Sequence, residues 1–405
     1  MSNYINIISA IGNNSSVYPL LVRDCGIEVP SKVAMTYNQN LKDSKQTANN
    51  ALRERFIDEY GTSAIWLGGI PLLDRICNKT IRKCGYNPAI NSNLFKESSN
   101  QGIKYNIDKF GQSAPDEVKD LKKVLANKSV YEKLAAVRFL ISTMIPIYLM
   151  GFALPKLNFA LTERLRKKEE SKIEISKTDS YNSEYRPAFK GISAPLANMS
   201  TVNKMAITDG GLTIGRVMTA RNRFEKLEMA FKMLGMMFLN FVAPIWIAKN
   251  FGTLSNKFFK TNVNLDPKLL SDNDFIEAIK NNNLNLPKGN IIEFLDKNPD
   301  EQFSKLAEKY QGVRYLKNRV RDPRVYIDER KLTEFKNEIE KFSAQASAKK
   351  SVEDFAKKAL RIKSLNILAN VALSSFLLAV ALPKLTFILR KKVTGSDAEP
   401  GLVRV

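Results

Sequence analysis

Apolar residues in this chain gather into a few long runs separated by strongly polar stretches, and that segregation predicts the architecture. Residues 139–161 carry no charge before Lys156, residues 364–383 carry none and continue apolar to Leu389 apart from Lys384, and residues 233–248 are apolar from Met233 to Ala248. A spanning helix needs about 20 apolar residues, so the first and last runs have bilayer length and the middle one is the shortest. A fourth run, residues 64–73, falls well short of that length. It reads as a re-entrant or interfacial helix, as a short span extended by its flanks, or as a buried core helix. Pro146 and Pro155 lie inside the first long run. In water they would disrupt a helix, whereas in a bilayer neighbouring groups satisfy the carbonyls they free.

The polar stretches read as helical too. Ser113-Ala114-Pro115-Asp116-Glu117 supplies an N-cap, an early proline and first-turn acids, with Val118, Leu121 and Leu125 at helical spacing. Ser129-Val130-Tyr131-Glu132 and Ser351-Val352-Glu353-Asp354 have the form of capping boxes. Between the second and third spans, Phe275-Ile276/Ile279, Ile291-Ile292/Leu295 and Phe303/Leu306 form short apolar stripes expected to pack together. The expected fold class is therefore all-α, a multi-span helical membrane protein with polar helical segments between spans. Its divisions are a polar N-terminal region (1–60) that opens loop-like, the short apolar helix (61–82), an amphipathic region (83–138) and the first span (139–161). A polar linker (162–215), a basic helix leading into the second span (216–250, apolar over 233–248) and a soluble helical domain (251–350) follow. The last span with its lead-in helix (351–389, apolar over 364–389) and a basic tail (390–405) complete the chain.

The first and last spans end alike. Ala153-Leu154-Pro155-Lys156-Leu157-Asn158-Phe159-Ala160-Leu161 parallels Ala381-Leu382-Pro383-Lys384-Leu385-Thr386-Phe387-Ile388-Leu389, differing only at two of nine positions, and each is closed by Leu-Arg-Lys-Lys, three residues on at 165–168 and from the last leucine itself at 389–392. Such agreement is an internal repeat rather than chance. Two spans separated by one other run in the same direction, so their ends face one side. Basic clusters mark cytoplasmic ends, which puts 163–232 and the C-terminus inside and 251–363 outside. The N-terminal region then calls for residues 64–73 as a fourth crossing.

Composition narrows the chemistry. Lysine and arginine number 63 against 41 acids, a formal charge of +22, which favours anionic lipid surfaces or nucleic acid as partners. The chain has no histidine, which removes the commonest general base and transition-metal ligand. Cys25, Cys77 and Cys84 lack paired spacing, so neither a disulfide framework nor a zinc site is expected. The opening residues lack a basic lead into an apolar stretch, so no cleaved secretory signal is expected. No catalytic constellation, metal site or cofactor motif stands out, and the expectation is that the protein is not an enzyme.

The candidate functional residues are few. Arg314, Lys317, Arg319, Arg321 and Arg324, interleaved with Tyr315 and Tyr326, have the composition of a contact with anionic headgroups or another polyanion. Lys156 and Lys384 are expected to snorkel to the interface, the alternative being that they line an anion path. Asp209-Gly210-Gly211-Leu212-Thr213-Ile214-Gly215-Arg216 lacks the Gly-Lys-Ser/Thr of a phosphate loop and reads as a flexible lead into a helix. Its glycines lie outside the apolar runs, so no small-residue helix packing is expected from them. No acid lies within the three long runs, which counts against ion-coupled transport. The leading expectation is an integral, multi-pass membrane protein with a structural, scaffolding or interaction role, its partners the bilayer and anionic headgroups. The alternatives are a transporter or channel subunit that encloses a path as an oligomer, and a soluble all-α protein binding nucleic acid through its basic surface.

Overall fold

The computed structural model describes residues 3–13, 17–96, 100–170, 201–261 and 263–399. Helix makes up 79% of the chain and no strand occurs among the described residues, which places the protein in the all-α class. Six long helices organise it: α1 (18–40), α2 (45–83), α3 (128–170), α4 (Thr201–Thr219), α5 (Arg223–Phe259) and α6 (Val352–Thr394). Three of them are long and apolar enough to cross a membrane, α3 over Lys128–Leu165 together with the whole of α5 and α6. The 64–73 run is absorbed into α2, where the charged turns around Glu54–Glu59 directly precede it.

Five of the six helices contain one π-helical turn, and each stands at the same place relative to a proline. Asp24–Glu28 precedes Val29-Pro30 and Ala64–Gly69 precedes Ile70-Pro71. Leu149–Ala153 precedes Leu154-Pro155, Phe238–Val242 precedes Ala243-Pro244, and Leu377–Ala381 precedes Leu382-Pro383. The cause is covalent, because proline has no N–H and its ring clashes with the carbonyl four residues back. The residue ahead of it reaches five residues back instead. Val29 donates to Asp24, Ile70 to Ile65, Leu154 to Leu149, Ala243 to Phe238 and Leu382 to Leu377. Each helix thus widens without breaking. Pro146 sits in the α-helical part of α3 and has no π turn ahead of it. Pro155 frees the carbonyl of Gly151, and the Thr219 hydroxyl donates to it at 3.4 Å.

Several local expectations need correction. Residues expected to open loop-like form a helix over Asn3–Gly12 and the whole of α1, with the Asn and Ser run between them. The cap of the Pro115–Ala126 helix is Ala114 rather than Ser113, and its side chain makes no capping bond. Ser129 lies inside α3, which begins at Lys128. Ser351 does cap, accepting from the Asp354 N–H at 3.1 Å. The glycine-rich 209–216 segment is interior to α4 rather than a flexible lead, and its glycines do pack. A Cβ on Gly215 would stand 2.9 Å from the Gly151 Cα, and one on Gly211 would stand 2.5 Å from the Ile147 Cδ1. Backbone meets backbone where α4 crosses the π turn of α3, which only glycine allows. The middle of the polar linker, 171–200, lies outside the described residues.

The chain divides into two compact units. Unit 1 comprises Met1–Pro19, Ile76–Val137 and Pro244–Leu373, and unit 2 comprises Leu20–Arg75, Arg138–Ala243 and Ser374–Val405. All five π turns belong to unit 2. Unit 1 has an ordinary apolar core, in which the three stripes read from the sequence meet: Phe275, Ile292, Leu295, Phe303 and Leu306 pack with Phe342 and Phe355. Asn290 and Asp272 cap their helices with their side chains. A smaller cluster around Leu94, Leu121 and Tyr131 belongs to the same unit. The buried Gln101 amide joins the two parts by accepting from the Ile327 N–H at 2.8 Å and donating to the Ile327 carbonyl at 3.0 Å.

Candidate functional site

The interior of unit 2 is charged. On α2 the residues Glu54, Arg55, Asp58, Glu59, Thr62 and Ser63 recur in pairs every four positions, which puts them on one helical face. That face turns inward, while Phe56 on the opposite side is 52% exposed. On α5 Glu225 and Lys232 are buried, and Leu227, Leu234 and Phe238 point out. The usual polarity of an amphipathic helix is inverted in both.

Glu59 is the hub. The Lys232 ammonium stands 3.1 Å from its carboxylate, Arg55 3.2 Å and Lys32 3.8 Å, and Lys32 also pairs with Glu28. Burial pushes the Glu59 carboxyl up, but the three cations overcome it and hold the group well below the usual carboxylate range. Around the hub, Arg216 bonds Asp58 at 2.7 Å and the Thr62 hydroxyl at 2.6 Å. Arg221 bridges Glu54 at 3.1 Å and Glu225 at 2.8 Å and lies over the Phe159 ring. Arg390 bonds Glu228 at 2.6 Å and lies over Phe387. The two arms of the repeat thus each offer an aromatic face to a guanidinium. Lys204 of α4 holds Asp74 at 2.6 Å.

Two cavities flank this network. The first, about 70 Å³, is lined by Glu54, Arg55, Asp58, Asn158, Arg216 and Arg221 among others. Among the described residues the Asn158 Oδ1 and the Arg216 Nε are buried there without a hydrogen-bond partner. The second, about 30 Å³, is lined by Asp24, Glu59, Thr62, Ser63, Trp66 and Asp209, with Met233, Met236 and Met237 from α5. Lys232 borders the first and its partner Glu59 the second, and Arg216 and Thr62 are divided the same way, so these two bonds form the wall between them.

The sequence-predicted residues lie elsewhere. Lys156 and Lys384 are exposed at matching positions, while Pro155, Asn158 and Thr162 face inward on α3 as Pro383, Thr386 and Arg390 do on α6. Neither lysine lines a cavity named above. In unit 1, Arg321 is fully buried against Asp296 at 2.6 Å, which leaves it no access to an anionic surface. Arg324 is held by Asp322, Asp120 and Glu117, and Arg319 by Asp300 and Glu308. Arg314 and Lys317 are exposed. Among the described residues Cys25, Cys77 and Cys84 form no disulfide. The interior charges were missed because they sit outside the three long apolar runs, on α1, α2 and α4 and on the polar ends of α5 and α6. The four-residue pairing on α2 was the legible signal. Comparison of the chain with protein-family models, with curated proteins and with solved structures finds no match, so its function is argued from this geometry alone.

Proposed function

We propose that the protein is an integral, multi-pass membrane protein, with α3, α5 and α6 crossing the bilayer, that binds a small charged solute in the interior of unit 2 and passes it across the membrane. The observation that carries this reading is the inversion of unit 2: buried ion pairs and a polar cavity inside, exposed Leu, Phe and Ile on the helices that surround them. Ionisable groups enclosed among spanning helices are costly and are kept for ligand or ion pathways. A charged interior adds little net stability over an apolar one of the same volume, so its retention argues for a role. The cavity has room for roughly five water-sized positions. The orphaned Asn158 acceptor and Arg216 donor are where a solute would bond.

The test begins with carbonate extraction of the expressed chain, where retention in the pellet is expected. The purified protein in lipid nanodiscs is then melted with a panel of small amines, carboxylates and amino acids. One class should raise the Tm, by up to about 2.7 kcal/mol of stabilisation at a hundredfold excess over Kd, and Asn158→Ala should remove the effect. If no solute shifts the melt and none enters proteoliposomes, the transport reading fails and a membrane scaffold takes its place.

A further inference from the structure

We infer that Asp24 and Asp209 form a proton-binding site, holding one shared proton in the smaller cavity of unit 2. Asp209 is nine-tenths buried and lines the cavity, and among the described residues no hydrogen bond or ion pair reaches its carboxylate. An ionised carboxylate enclosed in that way is strongly disfavoured, and a proton is the simplest remedy. Asp24 lines the same cavity and accepts a hydrogen bond from Ser63. Two like charges confined together cannot both persist without cost, so the pair keeps one proton between them. The proton comes from solvent water and adds to a carboxylate oxygen, taking the pair from two negative charges to one.

The surrounding charges do not offer a replacement. Glu59 and Lys232 neutralise each other in the cavity wall, Lys32 is held by Glu28 and Glu59, and Arg216 is held by Asp58 and Thr62. Arg23 neighbours Asp24 in sequence and faces Glu28 as well. From α5 the cavity receives methionines and Asn240, and α6 packs its apolar π turn Leu377–Ala381 and part of Leu382–Thr394 against α1, where Arg390 is held by Glu228. Among the described residues no three carboxylates or thiols converge to hold a metal ion. Both acids lie outside the three spanning helices. Burial pushes Asp24 up to about 7, with Glu28 adding to it, and pushes Asp209 up to about 8, with Asp24 adding to it. The wall bonds from Glu59 to Lys232 and from Arg216 to Thr62 separate this site from the solute cavity. A proton entering or leaving therefore alters the charge balance on the far side of one ion pair. Use of the proton to drive solute movement rests on the proposed function, but its binding does not.

Trp66 lines the cavity and donates to the Met205 carbonyl at 3.5 Å, and the second tryptophan, Trp246, is 67% exposed. A Trp246→Phe protein in nanodiscs leaves Trp66 as the sole reporter. Its emission should show one transition near neutral pH, accompanied by an infrared band of a protonated carboxyl group that disappears across the same transition. Asp209→Asn and Asp24→Asn should each lower the midpoint by removing a neighbouring like charge, the double variant should abolish the transition, and Asp209→Glu should keep it with a shifted midpoint. Circular dichroism and melting of each variant confirm folding, and Asp209→Asn, which removes an unpartnered charge, should melt no lower than its parent. A transition whose midpoint neither single variant moves, or one that survives in the double variant, overturns the proposal. So does a midpoint that moves tenfold in proton concentration when sodium replaces potassium, which would make this a sodium site. Solute-dependent melting, read separately, distinguishes failure here from failure of the transport reading.

Discussion

Unit 1 and unit 2 are built from the same helix type on opposite plans. Unit 1 encloses Phe275, Phe303 and Phe342 and keeps pairs such as Lys280–Glu353 and Lys297–Glu293 at its surface. Unit 2 encloses Glu59, Lys32 and Lys232 and exposes Leu234, Phe238 and Ile388. The core of the first is the arrangement water imposes, since apolar burial supplies the driving force, while the parts of α5 and α6 that belong to unit 1 expose Trp246 and Leu365 as unit 2 exposes its own apolar residues. The second makes physical sense where the surroundings are hydrocarbon, because there an exposed leucine costs nothing and a charge must be sheltered. One chain thus carries two solutions to the same problem of where to put its charges.

The contrast can be broken most directly at the two centres. Glu59→Gln leaves Lys32, Lys232 and Arg55 without their common counter-charge and should cost about 3–5 kcal/mol, while Phe342→Ala should cost a similar amount, about 3–5 kcal/mol, through lost packing. Denaturation of the nanodisc-embedded protein reads both, and a Glu59→Gln variant as stable as its parent would remove the special status of the unit 2 interior. Next comes the outer face. Phe376, 55% exposed on α6, replaced by Arg should impair insertion, with a penalty of about 2.5–3.5 kcal/mol at a bilayer centre. Normal carbonate-resistant insertion of this variant would mean that face does not meet lipid. A smaller effect is expected at the helix crossing, where Gly215→Ala forces α4 off the Gly151 backbone at about 1–3 kcal/mol, while Gly289→Ala in unit 1, with open space around it, should change the melt little.

The smallest effects concern pH, and they have opposite signs. In unit 1, burial pushes Asp272 up, but bonds from Lys309 and Tyr310 outweigh it and hold the group below its ordinary value. Its contribution is present above the unfolded carboxylate range and is lost as pH falls through the folded value. Asp209, raised to about 8, does the reverse: its folded state is favoured most below the unfolded carboxylate pKa and loses that advantage as pH rises toward 8. Melting against pH for Asp272→Asn and Asp209→Asn should therefore flatten opposite limbs of the profile. Flattening of the same limb by both would contradict the assignment.

What the sequence reveals about the molecule follows the range of each interaction. The apolar runs, the repeat and the stripes of Phe275, Ile292 and Leu306 are local patterns, and the three membrane-length helices and the unit 1 core follow from them. The assembly of each unit from three separated stretches depends on contacts far apart in sequence and leaves no local mark. The candidate site fell between these cases. Glu54, Asp58 and Thr62 are regularly spaced, but a charged face on a helix is ordinarily the solvated one, and only its packing partners reverse that reading. The same holds for Gly211 and Gly215, whose neighbour Gly151 sits on another helix. The interleaved arginines were legible as composition, whereas the acids that claim two of them, Asp296 on Arg321 and Asp120 on Arg324, come from distant positions.

The π turns of unit 2 have a mechanical consequence. Each holds one residue more than the α-helical lattice accepts, and successive residues of that lattice are set about 100° apart. Expelling or shifting the surplus residue would swivel the half-helix beyond it by about that angle. On α3 such a swivel would carry Asn158 away from the interior and bring its neighbour Leu157 or Phe159 toward it. Five prolines have fixed five places where this gear can slip.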